Sequence, residues 1–270
     1  MSANVNQEQT TPQRLRGRRA LVTGANSGIG RTIALRLARE GAAVAINYLK
    51  NPAEADEMVQ EIGAQGGRAI AVQADVSNEQ QVDAMFERAR AEFGGIDTLV
   101  NNAGFETHHP ILEMPADAWR KVLDVDLTGA FLCAQRAARM MVEAKTGGAI
   151  VNISSVHTII PWGGFAHYCA AKAGLDMLTK TMALELATER VRVNSVAPGA
   201  IQTPINQNVW GDPAMLQDLL RKIPSERMGQ TEEVAACVAF LCSDEASYVT
   251  GAILYVDGGM TLYPEFRHGG

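Results

Sequence analysis

Tyr168 and Lys172 stand four residues apart in the segment Tyr168-Cys-Ala-Ala-Lys172. On a helix that spacing puts both side chains on one face, where they can share one substrate. A phenol with a pKa near ~10 is a weak acid-base catalyst at neutral pH, and a neighbouring ammonium favours its phenolate. Ser155 precedes Tyr168 by thirteen residues, just past a β-branched run. There its hydroxyl can bond a reacting oxygen and hold it beside the phenol. A base for an alcohol proton, next to a group that fixes the alcohol oxygen, suits hydride transfer provided an acceptor lies alongside.

Residues 23–30, Thr23-Gly24-Ala25-Asn26-Ser27-Gly28-Ile29-Gly30, point to that acceptor. They separate a short apolar run (19–23) from a helical pattern (31–40), the place where backbone N–H groups and a helix dipole receive a pyrophosphate. Glycines suit the turn because a Cβ would block the close approach of phosphates. The next strand ends Asn47-Tyr48-Leu49-Lys50, with no Asp or Glu between Gly41 and Ala53 to hold a ribose 2′-hydroxyl and repel a 2′-phosphate. NADP is therefore expected to be admitted beside Tyr48 and Lys50, with NAD left open. Asp75-Val76 and Asn101-Asn102-Ala103-Gly104 close two further strands, at the strand ends where an open α/β sheet binds its ligand.

The elements that must carry these residues follow from alternation. Apolar runs at 19–23, 43–48, 68–73, 98–101, 149–153, 191–196 and 253–256 alternate with helical patterns at 31–40, 53–64, 79–93, 117–144, 165–188 and 232–242. This predicts an α/β fold, a single doubly wound, Rossmann-like domain over 17–270 with a seven-stranded parallel sheet flanked by helices. Residues 1–16 are expected to form a flexible tail, since they lack the apolar stretch of a signal peptide or anchor. The uncharged stretches 146–171 and 193–211 contain Gly, Pro and amide residues that would break a membrane helix.

Composition narrows the partners. Lys+Arg 24 against Asp+Glu 30 gives a net charge of −6, the wrong sign for tracking nucleic-acid phosphates or anionic lipid. A small-molecule substrate is expected, with no nucleic acid and no membrane. Cys133, Cys169, Cys237 and Cys242 form no CxxC pair, and read as buried free thiols of a reducing, cytoplasmic compartment. His108-His109 has no third ligand at a suitable spacing, so no metal is expected.

Taken together, Thr23-Gly24-x3-Gly28-Ile29-Gly30, Asp75-Val76, Asn101-Asn102-Ala103-Gly104, Ser155, Tyr168-x3-Lys172 and Pro198-Gly199 resemble the short-chain dehydrogenase/reductase family over roughly residues 17–263. The resemblance implies that Tyr168 is the general base for alcohol oxidation and that Ser155 positions the hydroxyl. It implies that Lys172 binds the nicotinamide ribose and lowers the tyrosine pKa. It also implies that Pro198, Gly199, Ile201 and Thr203 belong to a segment contacting the nicotinamide carboxamide, and that the protein is a homotetramer. The unusually apolar pattern of 165–188 fits a subunit interface.

Within the family, residues 102–106, 154–157, 160–162, 199–206 and 257–264 resemble the glucose 1-dehydrogenases. That implies oxidation of β-D-glucose at carbon 1 to the gluconolactone. Glu106, Ser155, His157, Trp162, Gln202 and Asn206 become the candidate substrate contacts. Another alcohol or carbonyl substrate on the same scaffold (a polyol, a ketone or a 3-oxoacyl thioester) stays open. So does a nucleotide-binding sensor with little turnover. The sensor is motivated by Asp126, which stands where the family usually has a catalytic Asn holding a water in a proton relay. An ionised Asp there favours a charged Lys172 and changes that relay.

Overall fold

The computed structural model describes residues 13–262. Among them, seven strands form one parallel sheet in the order β3-β2-β1-β4-β5-β6-β7. They are β1 (Arg19–Val22), β2 (Ala43–Tyr48), β3 (Ala69–Gln73), β4 (Thr98–Asn101), β5 (Gly148–Ile153), β6 (Val191–Pro198) and β7 (Ile253–Val256). β1 lies between β2 and β4, with Leu21 opposite both Ala45 and Leu99. The winding reverses there, which opens a crevice at the carboxyl ends of β1 and β4. The strands read as continuous apolar runs because helices cover both sheet faces.

One face packs beneath α1 (Gly28–Arg39), α2 (Pro52–Ala64) and α9 (Thr231–Cys242), through Ile33, Leu37, Met58, Ile62 and Val238. The other packs beneath α3 (Glu79–Phe93), α5 (Ala130–Glu143) and α6 (Ala166–Leu186), through Met85, Phe86, Cys133, Met141 and Ala183.

The structure departs from the sequence expectation in several places. The helix expected over 117–144 is α4 (Ala116–Leu123) and α5 joined by a π-helical segment, Asp124–Gly129. Gly129 sits there because Val76 occupies the space a Cβ would need, 2.9 Å from it. Two helices were not foreseen, the one-turn α7 (Gln207–Trp210) and α8 (Pro213–Arg221). The start signal of α8 is nevertheless in the sequence: Pro213 opens the first turn and Asp212 accepts from the N–H groups of Ala214 and Met215.

The expected tail of 1–16 needs correction at its end. Leu15 is fully buried, and Arg14 bonds the buried Glu40 through Nη2 at 2.7 Å. Residues 1–12 lie outside the described ones. The stretch 146–171 folds as β5, a short 3₁₀ turn (Val156–Thr158) and the start of α6. Among the described residues no helix is long and apolar enough to cross a membrane. All four cysteines are free, but only Cys133 and Cys242 are buried. Cys169 and Cys237 are half-buried, because helix faces next to the core, rather than in it, carry them.

Candidate active site

The glycine turn lies between β1 and α1 and has the shape of an anion cradle. Gly24 and Gly28 take positive φ (57° and 52°), a conformation that costs glycine little. Ser27 is the N-cap of α1, yet its side chain caps nothing, and the first turn holds no acidic residue. The leading N–H groups of a twelve-residue helix therefore face outward with positive polarity, as a pyrophosphate requires. Ile29 packs at the edge of the core, and Gly30 must lack a Cβ because the Asn102 amide and the Gly24 carbonyl stand there.

Asn102 spends its side chain on the turn, donating to the carbonyls of Thr23 and Gly24 (both 2.9 Å). The Thr23 hydroxyl accepts from the N–H groups of Asn102 and Ala103, and Ala103 closes on Gly24. Asp75 accepts from both the N–H and the hydroxyl of Ser77, and Val76 is buried against the π segment. Lys50 is exposed; its carbonyl accepts from the Asn26 amide, and Tyr48 packs on the core. These residues fit a dinucleotide, with free N–H groups for phosphates and small residues beside them.

β5 delivers Ser155, and α6 brings Tyr168 and Lys172 up to it. Ser155 is buried and accepts from the His157 N–H at 3.1 Å, which starts the 3₁₀ turn. Its hydroxyl stands close enough to the Tyr168 phenol to favour the phenolate. Lys172 is buried, donates to the Ile153 carbonyl at 3.1 Å, and holds Nζ 5.5 Å from the Tyr168 ring centre. The π segment turns Asp126 into the same space, 1% exposed, with Oδ2 3.1 Å from Lys172 Nζ. That oxygen lies outside hydrogen-bonding geometry to any group. Oδ1 accepts the Phe105 N–H at 3.0 Å.

The charges balance differently from the expectation of a phenol simply lowered by an ammonium. Burial raises the Tyr168 pKa; Lys172 and the Ser155 hydroxyl pull it down; Asp126 and Glu106 push it up again, and the net shift is upward. Lys172 is held above its ordinary value: burial would lower it, but Asp126 and the phenol raise it more. Burial also lifts Asp126 and Glu106, against the pull of Lys172.

The face beside Tyr168 is aromatic. Trp162 stacks on His157 (4.3 Å between centres, 16°) and on Phe165 (3.7 Å, 19°), and meets Tyr168 edge-on at 6.1 Å. His157 Nδ1 bonds the Ile160 carbonyl at 3.0 Å, and burial lowers its pKa, so the ring is neutral with Nε2 left as an acceptor. Glu106 is half-buried on the loop after β4.

Of the expected substrate contacts on the loop after β6, Asn206 is engaged within its own loop, and Gln202 is exposed with its amide oxygen bonded to Gln230 (3.2 Å). Asn206 accepts from the Thr203 N–H (3.0 Å) and donates to the Ile201 carbonyl (2.8 Å). The segment 198–206 is thus stitched to itself; Ile201 bridges to Gly229, and Gly199 passes against Asp257.

Four residues of the site escaped sequence reasoning. Asn47 accepts from the Gly24 N–H (3.1 Å) and donates to the Ala74 carbonyl (3.0 Å), tying the glycine turn to the end of β3. Glu54, one residue past the stretch between Gly41 and Ala53 that lacks a carboxylate, accepts from Asn26 at 2.9 Å. Phe165 completes the aromatic stack. His167 is fully buried; its Nδ1 accepts from the Tyr168 N–H and its Nε2 bonds Thr107, joining the start of α6 to the β4 loop. The adjacency of His167 to Tyr168 was the one available signal.

A nucleotide cradle and a Ser-Tyr-Lys set at the carboxyl edge of one parallel sheet define an NAD(P)-dependent oxidoreductase, and the chain belongs to the short-chain dehydrogenase/reductase family. A family model described as enoyl-(acyl carrier protein) reductase matches residues 24–261. The chain is 49% identical to 3β-hydroxysteroid dehydrogenase 1 of Eggerthella lenta over 255 residues, covering 94% of this chain and 98% of that one. It is 45% identical to glucose 1-dehydrogenase 2 of Bacillus subtilis over 251 residues, 93% and 97% of the two chains. A crystal structure of a gluconate 5-dehydrogenase from Burkholderia cenocepacia, in complex with NADP and tartrate, superposes with a TM-score of 0.88 at 37% identity, covering 94% and 99%.

Proposed function

We propose that the chain oxidises a cyclic secondary alcohol, and reduces the matching ketone, with Tyr168 as the acid-base group. The observation that carries this reading is the aromatic stack of His157, Trp162 and Phe165 set edge-on to the phenol, which offers a flat face to a ring. Ser155 bonds the alcohol oxygen and holds its proton toward the Tyr168 oxygen. Lys172 supplies the positive charge that stabilises the phenolate and stands where it would hold the nicotinamide ribose. The bound nicotinamide supplies the hydride acceptor; Gly24, Asn26, Ser27, Gly28, Ile29 and Gly30 would hold its pyrophosphate side, with Pro198, Gly199, Ile201 and Thr203 beside the carboxamide.

Two rings suit the face. β-D-glucose at carbon 1 is supported by the likeness to the Bacillus subtilis enzyme, and a fused alicyclic alcohol by the likeness to the hydroxysteroid dehydrogenase. The geometry supports the alicyclic alcohol better. The amide of Asn206 is spent within its own loop, and the amide oxygen of Gln202 accepts from Gln230. The connections leaving the carboxyl ends of β4, β5, β6 and β7 expose Ile111, Leu112, Ile159, Ile205, Met215 and Leu262. A sugar needs hydrogen-bonding groups at those places, and an apolar ring system does not.

The test is a panel of a 3β-hydroxysteroid, β-D-glucose, polyols and a 3-oxoacyl thioester, each assayed with NADP and NAD at the nicotinamide absorbance. The expected result is kcat/KM for the hydroxysteroid at least ~100-fold above glucose. Replacing Trp162 by Ala should lower it by about 10-fold, the worth of one aromatic contact. Glucose as the best substrate would remove the alicyclic reading, and no turnover on the whole panel would leave the nucleotide-binding sensor. Exposed Phe131 on α5, with Met177 and Leu184 on α6, supports a homotetramer. The free cysteines support a cytoplasmic location.

A further inference from the structure

We propose that His167 is the positioning residue of the acid-base group: it fixes the backbone of Tyr168 with one ring nitrogen and the loop after β4 with the other. The inference rests on the dehydrogenase reading above and adds to it a residue that acts through Tyr168. α6 begins at Ala166, so the Tyr168 N–H is one of the first-turn donors for which a helix has no internal partner. The usual remedy is a Ser, Thr, Asp or Asn at the N-cap, but Phe165 stands there and its side chain caps nothing. His167 takes over that task from inside the helix, its Nδ1 accepting the Tyr168 N–H at 2.8 Å. A ring nitrogen that accepts carries no proton. The proton of the neutral imidazole is therefore on Nε2, which donates to the Thr107 hydroxyl at 3.0 Å. Both nitrogens are thereby satisfied in a side chain that is 0% exposed.

Thr107 belongs to the loop that carries Glu106 and that holds Asp126 Oδ1 through the Phe105 N–H. The same loop meets the start of α6 twice more: the His109 N–H donates to the Gly164 carbonyl at 2.8 Å, and the His108 ring meets Phe165 edge-on at 5.4 Å. Of these three contacts, that of His167 is the one that reaches Tyr168. The phenol has to meet an alcohol oxygen that Ser155 holds from the end of β5, so the place of the first turn of α6 sets the distance between base and substrate. A displacement of ~1 Å there is worth up to about 100-fold in rate. Protonation would undo the bond, since an imidazolium has no acceptor for the Tyr168 N–H. Burial holds His167 below its ordinary 6.5; the Phe165 carbonyl opposes this, His109 adds to it and Asp126 opposes it again. His109 of the loop, with ring centres 6.2 Å apart, and Asp126 of the π segment are the titratable groups facing the ring from the elements around it.

The experiment follows single-turnover hydride transfer from NADPH to the ketone matching the best alcohol of the panel, with the full chain. In this direction Tyr168 gives up a proton and starts protonated at every pH below neutral. His167→Asn places Oδ1 where the imidazole has Nδ1 and keeps the Tyr168 bond, whereas His167→Leu keeps the bulk and loses it. The Leu variant should slow the step by ~10-fold or more at saturating ketone, with half-saturation moved by less than about 3-fold, and the Asn variant should stay within about 3-fold of wild type. As pH falls from 7 to 5 the rate of His167→Asn relative to wild type should rise, because Asn takes up no proton and the nearby carboxylates are common to both. Thr107→Val should slow wild type by about 3-fold and add nothing in His167→Leu, the signature of a shared bond. Amide hydrogen exchange in the first turn of α6, read by mass spectrometry, should be slow in wild type and His167→Asn and fast in His167→Leu. His167→Leu at the wild-type rate would overturn the proposal. So would His167→Asn as slow as His167→Leu, which would make packing of the ring the cause, or an Asn to wild-type ratio that ignores pH. If His167→Leu fails to bind NADPH, read by its fluorescence, the Asn variant, its pH ratio and its exchange carry the test. No hydride transfer by the wild-type chain, with the exchange pattern as expected, would overturn the dehydrogenase reading alone.

Discussion

Replacing Asp126 by Asn removes one negative charge 3.1 Å from Lys172 Nζ while keeping an oxygen to accept the Phe105 N–H. The effect on the base can be worked from the geometry. Lys172 Nζ is 5.5 Å from the Tyr168 ring centre and 3.1 Å from Asp126, so the carboxylate lies no more than about 9 Å from that ring. At an effective dielectric of ~20, a unit charge at that distance is worth about 1.8 kcal/mol, somewhat more than one pKa unit. Its sign is to raise the phenol, which joins burial in holding Tyr168 above its ordinary value. Removing it lowers the Tyr168 pKa.

Alcohol oxidation needs the phenolate, so kcat/KM climbs as pH rises through that pKa and then levels off. In Asp126→Asn the climbing limb is expected about one pH unit lower, each profile being measured against its own plateau. The assay is kcat/KM for the alcohol from pH 5 to 11 in both proteins. Coincident limbs would refute the charge argument. A limb shifted upward would show that Lys172, buried and without its partner, has lost its proton and no longer supports the phenolate.

Gly104→Ala drives a Cβ to within 2.6 Å of Asp126 Oδ2, and is expected to lower kcat by about 10-fold and stability by ~1–3 kcal/mol, read by turnover and urea unfolding. Glu54→Ala frees Asn26 and removes the carboxylate nearest the glycine turn; the ratio of kcat/KM for NADP over NAD should rise by about 5-fold or more, since a surface charge at close range is worth ~1 kcal/mol. Arg14→Ala takes one of two partners from Glu40, whose carboxyl burial would raise but which Arg14 and Arg36 hold below its ordinary value of 4.5. A loss of about 2 kcal/mol is expected at neutral pH, below the full cost of breaking a buried pair because Arg36 remains. A lowered carboxylate stabilises fully above its unfolded pKa and loses this as pH falls through its lowered folded pKa, so the gap between wild type and variant should begin to narrow below about pH 4.5 and close only below the folded value.

How far the sequence reveals this molecule depends on how local each signal is. The strands announce themselves because burial on both faces makes them continuous apolar runs, and the glycine turn because it falls between a strand and a helix. Those two facts already set Ser155, Tyr168 and the turn on one edge of the sheet. The π segment is illegible, since one extra residue in a turn leaves the helical pattern of 117–144 nearly unchanged. Glu54 was passed over because α2 begins at Pro52 and folds its first turn back toward Asn26, a contact between residues 28 apart. The amide of Asn206 looked available because a side chain in a loop turns onto that loop only once it has folded on itself.

Charge at the site is the hardest property to read along a chain, because it is a sum over groups that only the fold assembles. Tyr-x3-Lys by itself implies a phenol lowered by its neighbour, and Lys172 does pull in that direction. Asp126 arrives through a π turn from a different helix, and Glu106 through a loop bonded to Asp126, and both act on the same phenol with the opposite sign. A buried ion pair costs about as much desolvation as it returns in attraction, so this arrangement adds little stability. What it does is make Lys172 a better-held cation and a weaker promoter of the phenolate than it would be beside a neutral Asn. Asp126→Asn should therefore make Tyr168 easier to ionise. A purely structural role for Asp126 predicts no such change.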